Sequence, residues 1–314
     1  MHASTRTTRP RALLRTAAAA ALLLAAACDR GAAPPPGCAG AIAFNDPVLE
    51  QAVRAAAGVP DGDLTWEDVD GITTLTIPYE GVTDLTGVQC LTSLALLDAT
   101  GNDFVHLEPL AWLDSLRELW LLDTLAVDLA PLAGLGSLER LYLSGEGLAD
   151  FAPVAEIDTL EWLTIVETDL DDLGWFAELP ALASLNLTAD GIADLSTFAA
   201  PASLRRLDLS KNQIADVAPL AGLAALEDLH LGENQIADVA PLAGLTDLDW
   251  LHVGDNQLAD LAPLAANAGL GECDRVYVDG NPIDQAAQQA SIDALCARGV
   301  ILDPYCTDDF CEGD

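Results

Sequence analysis

His230 and His252 stand 22 residues apart, with Trp250 beside them and Asp208 and Asp228 at the same interval behind. Imidazoles and carboxylates gathered in this way could hold a metal ion or a polar ligand. An ordinary solvated face is the weightier reading, and no metal is assigned. A second candidate is the column Asp84, Asp128, Asp150, Asp172, Asp194, Asp216, Asp238 and Asp260, broken only by His106 and Gln285. Stacked carboxylates suggest a cation ladder. Each, however, opens a segment of the DVAPL type, where a carboxylate can accept from free backbone N–H groups as an N-cap does. That structural role is the expected one, and no DxDxDG loop specifies calcium. Cys273, Cys296, Cys306 and Cys311 could bind zinc, but they lack paired CxxC spacing. No HExxH, GxSxG, phosphate-loop or dinucleotide pattern occurs in the sequence. The chain reads as a non-enzyme that needs no cofactor.

What positions these residues is a repeat. From Leu204 the sequence runs LRRLDLSKNQIADVAPLAGLAA, and from Leu226 it runs LEDLHLGENQIADVAPLAGLTD, a period of 22 residues. Units in the same register start at Ile72, Leu94, Leu116, Leu138, Leu160, Leu182, Leu204, Leu226, Leu248 and Cys273; eight steps are 22 residues and the last is 25. The longer step places a small insertion at Asn267 to Gly271. In LxxLxL the last two leucines alternate with outward residues, as in a short strand with one buried face. NxI turns the chain and DVAPLAGL returns it. One unit cannot bury its apolar face alone. Stacked units can, each buried Leu contributing roughly 1.5–3 kcal/mol. The LxxLxLxxN pattern at this period indicates a leucine-rich repeat solenoid.

The flanks have their own logic. Residues 1–27 hold four arginines and no acid, then an Ala/Leu run too short for the ~20 apolar residues a membrane span needs, so they read as a secretory signal. Ala25-Ala26-Ala27-Cys28 resembles a bacterial lipobox, with Ala25 where Leu is preferred. Cys28 is therefore the expected lipidation site, and 28–37 a Pro-rich tether. Without the signal, nine basic residues face 50 acidic ones, a charge of −41 that repels nucleic acid and anionic headgroups. Residues 38–71 are expected to form a helical cap, with Asn45 or Asp46 capping a helix over Asn45 to Ala57. The repeats occupy 72–281. A second cap at 282–314 holds a helix from Asp284 to Arg298, stopped by Gly299, then VIL and a cysteine-tied tail.

Six cysteines in an exported chain imply three disulfides. Cys90 and Cys273 lie about eight coils apart, roughly 40 Å at a ~4.8 Å strand spacing, beyond the reach of any bridge. Cys38 must then pair with Cys90. Among the other four, Cys273 with Cys296 and Cys306 with Cys311 are favoured.

Outward strand positions, which the repeat does not dictate, carry the candidate binding site. Trp120, Leu122, Tyr142, Trp162 and Val166, with Arg140 among them, are expected to form an exposed patch on three adjacent coils. Trp and Tyr beside Arg is the composition of interface hot spots. His230, Trp250, His252 and Tyr277 form a second group of outward residues.

The repeat NQIADVAPLAGL, its period, and the leading helix followed by GVTDLTGVQCLTSL resemble the internalin-type leucine-rich repeat proteins of bacteria over about 38 to 305. That resemblance implies a curved right-handed α/β solenoid. Parallel strands would line its concave face and turns or 3₁₀ segments its convex face, with helical caps at both ends. It also implies recognition of a protein by the concave face, often at a cell surface. The sequence departs from the pattern in its asparagine column, which holds only at Asn102, Asn212, Asn234, Asn256 and Asn281. No wall-anchor or immunoglobulin-like segment follows the repeats. The expectation is an exported monomer of the bacterial envelope, as a lipoprotein of the outer membrane or cell surface or in the periplasm. It would meet the membrane through its lipid anchor alone, bind a protein partner and bind no nucleic acid. The rival is an envelope-organising protein with no specific ligand, and a metal-dependent hydrolase comes a distant third.

Overall fold

The computed structural model describes residues 34–145, 147–168, 170 and 172–306. The expected signal at 1–27, Cys28, most of the tether and Cys311 lie outside the described residues. Among the described residues eleven short strands form one parallel sheet whose spatial order is the order of the sequence. They are β1 (Thr74–Thr76), β2 (Leu96–Asp98), β3 (Glu118–Leu121), β4 (Arg140–Ser144), β5 (Trp162–Val166), β6 (Ser184–Asn186), β7 (Arg206–Asp208), β8 (Asp228–His230), β9 (Trp250–His252), β10 (Arg275–Tyr277) and β11 (Ile301–Asp303). Each coil places the same position against its neighbour, so that Leu75, Leu97, Leu119, Leu141 and Leu163 pair in succession. These leucines are essentially buried, and with the leucines of the return segments they form one continuous interior. This is the leucine-rich repeat solenoid that the spacing predicts.

Two polar ladders run along the array, and the first holds the coils in phase. Oδ1 of Asn102, Asn212, Asn234, Asn256 and Asn281 accepts from a backbone N–H of the preceding coil at 2.8–3.0 Å. Nδ2 of each donates to a carbonyl of that same coil at 2.8–2.9 Å. A buried amide group thus satisfies buried backbone where the chain leaves the sheet. In the second ladder, Oδ1 of Asp84, Asp128, Asp150, Asp172, Asp194, Asp216, Asp238 and Asp260 accepts from the N–H two residues on at 2.7–3.0 Å. The aspartate column is therefore a row of turn caps. Behind the caps the return segments are mostly 3₁₀ turns such as Glu108–Trp112 and Ala240–Gly244, with Pro in the first turn of most of them.

The ends differ in more detail. Helix α1 (Pro47–Ala57) is capped by Asp46, which accepts from Val48 and Leu49, and buries Leu49 and Val53. A short α2 (Trp66–Val69) follows it. Within the array, α3 (Ala152–Ala155) and α4 (Ala262–Ala266) replace 3₁₀ turns. The extra residues after α4 form a tight turn in which Asn267, 1% exposed, donates to Leu242 and Leu245 carbonyls. Gly269 is obligatory there, because a Cβ would fall 2.0 Å from the Thr246 carbonyl oxygen. Helix α5 (Gln285–Cys296) is capped by Asp284 and buries Ile292 and Leu295. The VIL segment then adds β11 as an eleventh parallel strand, covering the edge of the last coil with Leu302 fully buried.

Cys38 bridges Cys90 with Cα atoms 5.5 Å apart, as expected. The favoured pairing of Cys273 with Cys296 and of Cys306 with Cys311 is overturned, because Cys296 bridges Cys306 with Cα atoms 6.0 Å apart. After α5 the chain reverses through Gly299 at φ +82° and runs along β11. A turn then follows, in which Tyr305 and Cys306 N–H groups donate to the Leu302 carbonyl, so Cys306 returns to the end of its own helix. Cys273 is also disulfide-bonded. No helix of the described residues is long and apolar enough to cross a membrane.

Candidate functional site

The alternation of each strand sends Leu119, Leu141 and Leu163 inward and leaves Glu118, Trp120, Arg140, Tyr142 and Trp162 on the other face. In the parallel register Trp120 faces Tyr142, and Arg140 lies between Glu118 and Trp162. The Trp120 and Tyr142 rings stack with centroids 3.6 Å apart and planes 12° off parallel. Glu118 fixes both columns. Its Oε1 accepts from Trp120 Nε1 at 2.8 Å and its Oε2 from Arg140 Nη1 at 3.3 Å. Burial raises the Tyr142 pKa, the Glu118 charge raises it further, and Arg140 partly offsets both.

Trp120, Leu122, Tyr142, Trp162 and Val166 thus share one face on adjacent coils, as expected. They are half-buried rather than exposed, which corrects the expected patch. Stacking removes one face of each of two rings from water. The small outward-facing residues Ser144, Thr164 and Ser184 are buried to 4%, 8% and 7% exposure, as expected for small side chains beside larger ones. Glu118 was not among the expected site residues. Its signal was available in the sequence, two positions before Trp120 and 22 before Arg140.

A second ring cluster lies on β8 to β10. His230 and His252 are 6.2 Å apart by ring centroid, His230 and Trp250 6.1 Å, Trp250 and Tyr277 5.3 Å, and His252 and Tyr277 5.8 Å. The Arg275 guanidinium sits 5.4 Å from the Trp250 centroid, a cation–π contact that the sequence reading did not single out. Asp208 spends Oδ1 on the Ser210 N–H, and Asp228 accepts from Arg206 Nε at 2.6 Å. Among the described residues no group of three or more His, Cys, Asp or Glu is placed to hold a metal. The two ring clusters are separated by β6 and β7, about 15 Å at the usual strand spacing.

Comparison with known proteins agrees with this geometry. Residues 202–244 match a family model described as leucine-rich repeats in two copies. No curated protein matches the chain in sequence. Among solved structures, an internalin (InlF) from Listeria monocytogenes is 27% identical with a TM-score of 0.64, over 82% of this chain and 88% of that one. An internalin C2 from the same organism is 29% identical with a TM-score of 0.54, over 77% and 94%. The functional domain of InlJ from Listeria monocytogenes, which includes a cysteine ladder, shares the fold at 21% identity and a TM-score of 0.59, over 80% and 54%. Repeats of this fold commonly mediate protein–protein binding, and the disulfides suit an oxidising compartment outside the cytoplasm. With its repeat, its parallel sheet and these similarities in agreement, the chain is a leucine-rich repeat solenoid that is similar to the internalins of Listeria monocytogenes.

Proposed function

We propose that this protein is an exported, lipid-anchored binding module that recognises a protein partner through the concave, outward face of its sheet. The stacked pair Trp120 and Tyr142, braced by Glu118 and Arg140, carries the reading. Two stacked rings, one of them hydrogen-bonded to a carboxylate, lose little side-chain freedom on binding, and Trp, Tyr and Arg are the residues that dominate interface energetics. Trp162, Leu122 and Val166 extend the contact, and His230, Trp250, His252 and Tyr277 supply a second foothold. The net charge of the exported chain argues against nucleic acid or an anionic membrane surface as the partner. Attachment through a lipid on Cys28 would hold the monomer at the envelope.

Cross-linking on intact cells followed by mass spectrometry tests the binding face. The partner recovered with the wild-type chain should be lost when Trp120→Ala and Trp162→Ala are combined. Recovery of the same partner in equal yield would refute this site. Cys28→Ser should move the protein from the detergent-rich phase to the aqueous phase on phase separation, and an unchanged partition would remove the lipid anchor.

A further inference from the structure

We infer that a second surface, on the flank of the first three coils beside the strand ends, docks a basic amphipathic segment of a protein partner. Among the described residues, the large apolar side chains most open to solvent are not on the sheet. They are Tyr79 at 70% exposure, Leu125 at 57%, Val127 at 50% and Val105 at 44%. All four occupy the segment that carries the chain away from a strand, where side chains alternate in and out. Thr124 and Ala126 point inward, at 8% and 5% exposure, while Leu125 and Val127 point outward.

The repeat shows that these side chains are not needed for folding. Where coil three has Leu125, later coils have Gly191, Gln213, Gln235 and Gln257. Where coils two and three have Val105 and Val127, later coils have Ala193, Ala215, Ala237 and Ala259. The position of Tyr79 is filled by Ala189, Lys211 and Glu233. Tyr79 is also held in place. Its ring lies over Gly101, where a Cβ would come within 2.2 Å of Cδ1, and its hydroxyl reaches Asp123 Oδ2 at 3.4 Å. An exposed aromatic ring seated on a glycine and tethered at its tip is pre-organised for contact.

Charge selects the occupant. From Ala55 to Leu116 the chain has eleven acidic residues and no Lys or Arg. The next cation, Arg117, is paired with Glu139. Glu80, Asp103 and Asp123 border the apolar ridge, with His106 and the Glu139-paired Arg117 as the basic residues nearest in sequence. A second copy of this chain or an anionic bilayer would bring like charge to that border. A segment with apolar side chains on one face and Lys or Arg on the other satisfies both features.

The test uses the exported chain and a fluorescent amphipathic Lys/Leu peptide, with a scrambled peptide of the same composition as control. Tyr79→Ala, and Leu125→Gln combined with Val127→Ala, install residues that the repeat itself carries at those positions. Gln235→Ala on a distant coil is the control substitution. Wild type should bind the amphipathic peptide more tightly than the scrambled one, and each patch variant should weaken binding about tenfold, the loss expected of hot-spot side chains. Gln235→Ala should bind as wild type does. Equal affinity in the patch variants overturns the inference, because the peptide would then report diffuse charge alone. So does a wild-type dimer in sedimentation that the variants lose, which makes a second copy the occupant. Flotation with zwitterionic vesicles that depends on the same side chains overturns it in favour of lipid.

Discussion

Asp46 Oδ2 accepts both the backbone N–H and the hydroxyl of Thr83, at 2.8 and 3.0 Å, while Oδ1 caps α1 through Val48 and Leu49. One carboxylate therefore joins the leading helix to the first coil, across 37 residues of sequence. Burial alone would raise its pKa, but the hydrogen bonds from Thr83, Leu49 and Val48 outweigh burial and hold it below the ordinary value.

A depressed carboxylate contributes stability that is complete above its unfolded pKa and is lost as pH falls through the folded value. Wild type should therefore lose stability in that acid range, below the ordinary carboxylate value of 3.8. Asp46→Ala should lose less over the same range because its deficit is already present at neutral pH. That deficit should be about 2 kcal/mol, combining a lost cap with unsatisfied Thr83 donors. Urea unfolding of both proteins from pH 7 to pH 3 measures the difference. Parallel curves would show that Asp46 is not the coupling group.

The asparagine ladder predicts a graded loss in the middle of the array. Asn234 accepts from Ile214 and donates to the carbonyls of Leu209, Leu231 and Gly232, all from a site 9% exposed. Asn234→Leu leaves the Ile214 N–H without its acceptor and removes one donor from carbonyls that keep Asn212, Asn256 and Lys211 as partners, and should cost about 1–3 kcal/mol. Asn234→Thr should cost less, since Thr124 and Thr168 fill the same position in coils three and five. Hydrogen exchange at the Ile214 amide should rise in both variants, and more strongly in the first. An Ile214 amide as protected in the Leu variant as in wild type would contradict the ladder.

The disulfides predict unequal effects at the two ends. Cys38–Cys90 closes a separation of 52 residues and Cys296–Cys306 one of 10. Chain entropy alone assigns them about 4 and about 3 kcal/mol. Replacing Cys38 and Cys90 by Ser should therefore lower the unfolding midpoint more than replacing Cys296 and Cys306. Non-reducing peptide mapping should recover Cys296 linked to Cys306, and a peptide joining Cys273 to Cys296 would refute that pairing.

Particular residues show why some of this was legible beforehand and some was not. A repeat of constant length makes inward and outward positions readable, so the shared face of Trp120, Tyr142 and Trp162 and the capping role of the Asp216 and Asp238 column follow from spacing. A leucine at LxxLxL has little alternative to burial. The eleventh strand was missed because Ile301 to Asp303 falls outside the repeat phase and is recruited only by the open edge of β10. The pairing of Cys296 with Cys306 depends on a reversal at Gly299 and on the turn after β11, neither of which spacing encodes. Half-burial of the rings arises between coils, from the stacking of Trp120 on Tyr142. Attention to strand positions alone also hid Leu125 and Val127, which are conspicuous once compared with Gln213 and Ala215 in the same places.

The ring pair carries the last prediction. Burial raises the Tyr142 pKa above 10.0, with Glu118 adding to the rise and Arg140 opposing it. A tyrosine whose folded pKa is raised binds its proton more tightly in the folded state. Its contribution is therefore complete below the unfolded pKa and is lost as pH rises through the folded value. Ultraviolet titration of wild type minus Tyr142→Phe should give a single phenol ionising later than a free tyrosine. Glu118→Gln should bring that ionisation to lower pH by removing the neighbouring negative charge, while the amide oxygen can still accept from Trp120 Nε1. Trp120→Ala should shift it in the same direction through added exposure, and should also abolish the stacking contribution to the near-ultraviolet circular dichroism. If Tyr142 ionises at the same pH in all three backgrounds, the stack and the Glu118 bridge do not exist in solution, and the binding face would have to be assigned without them.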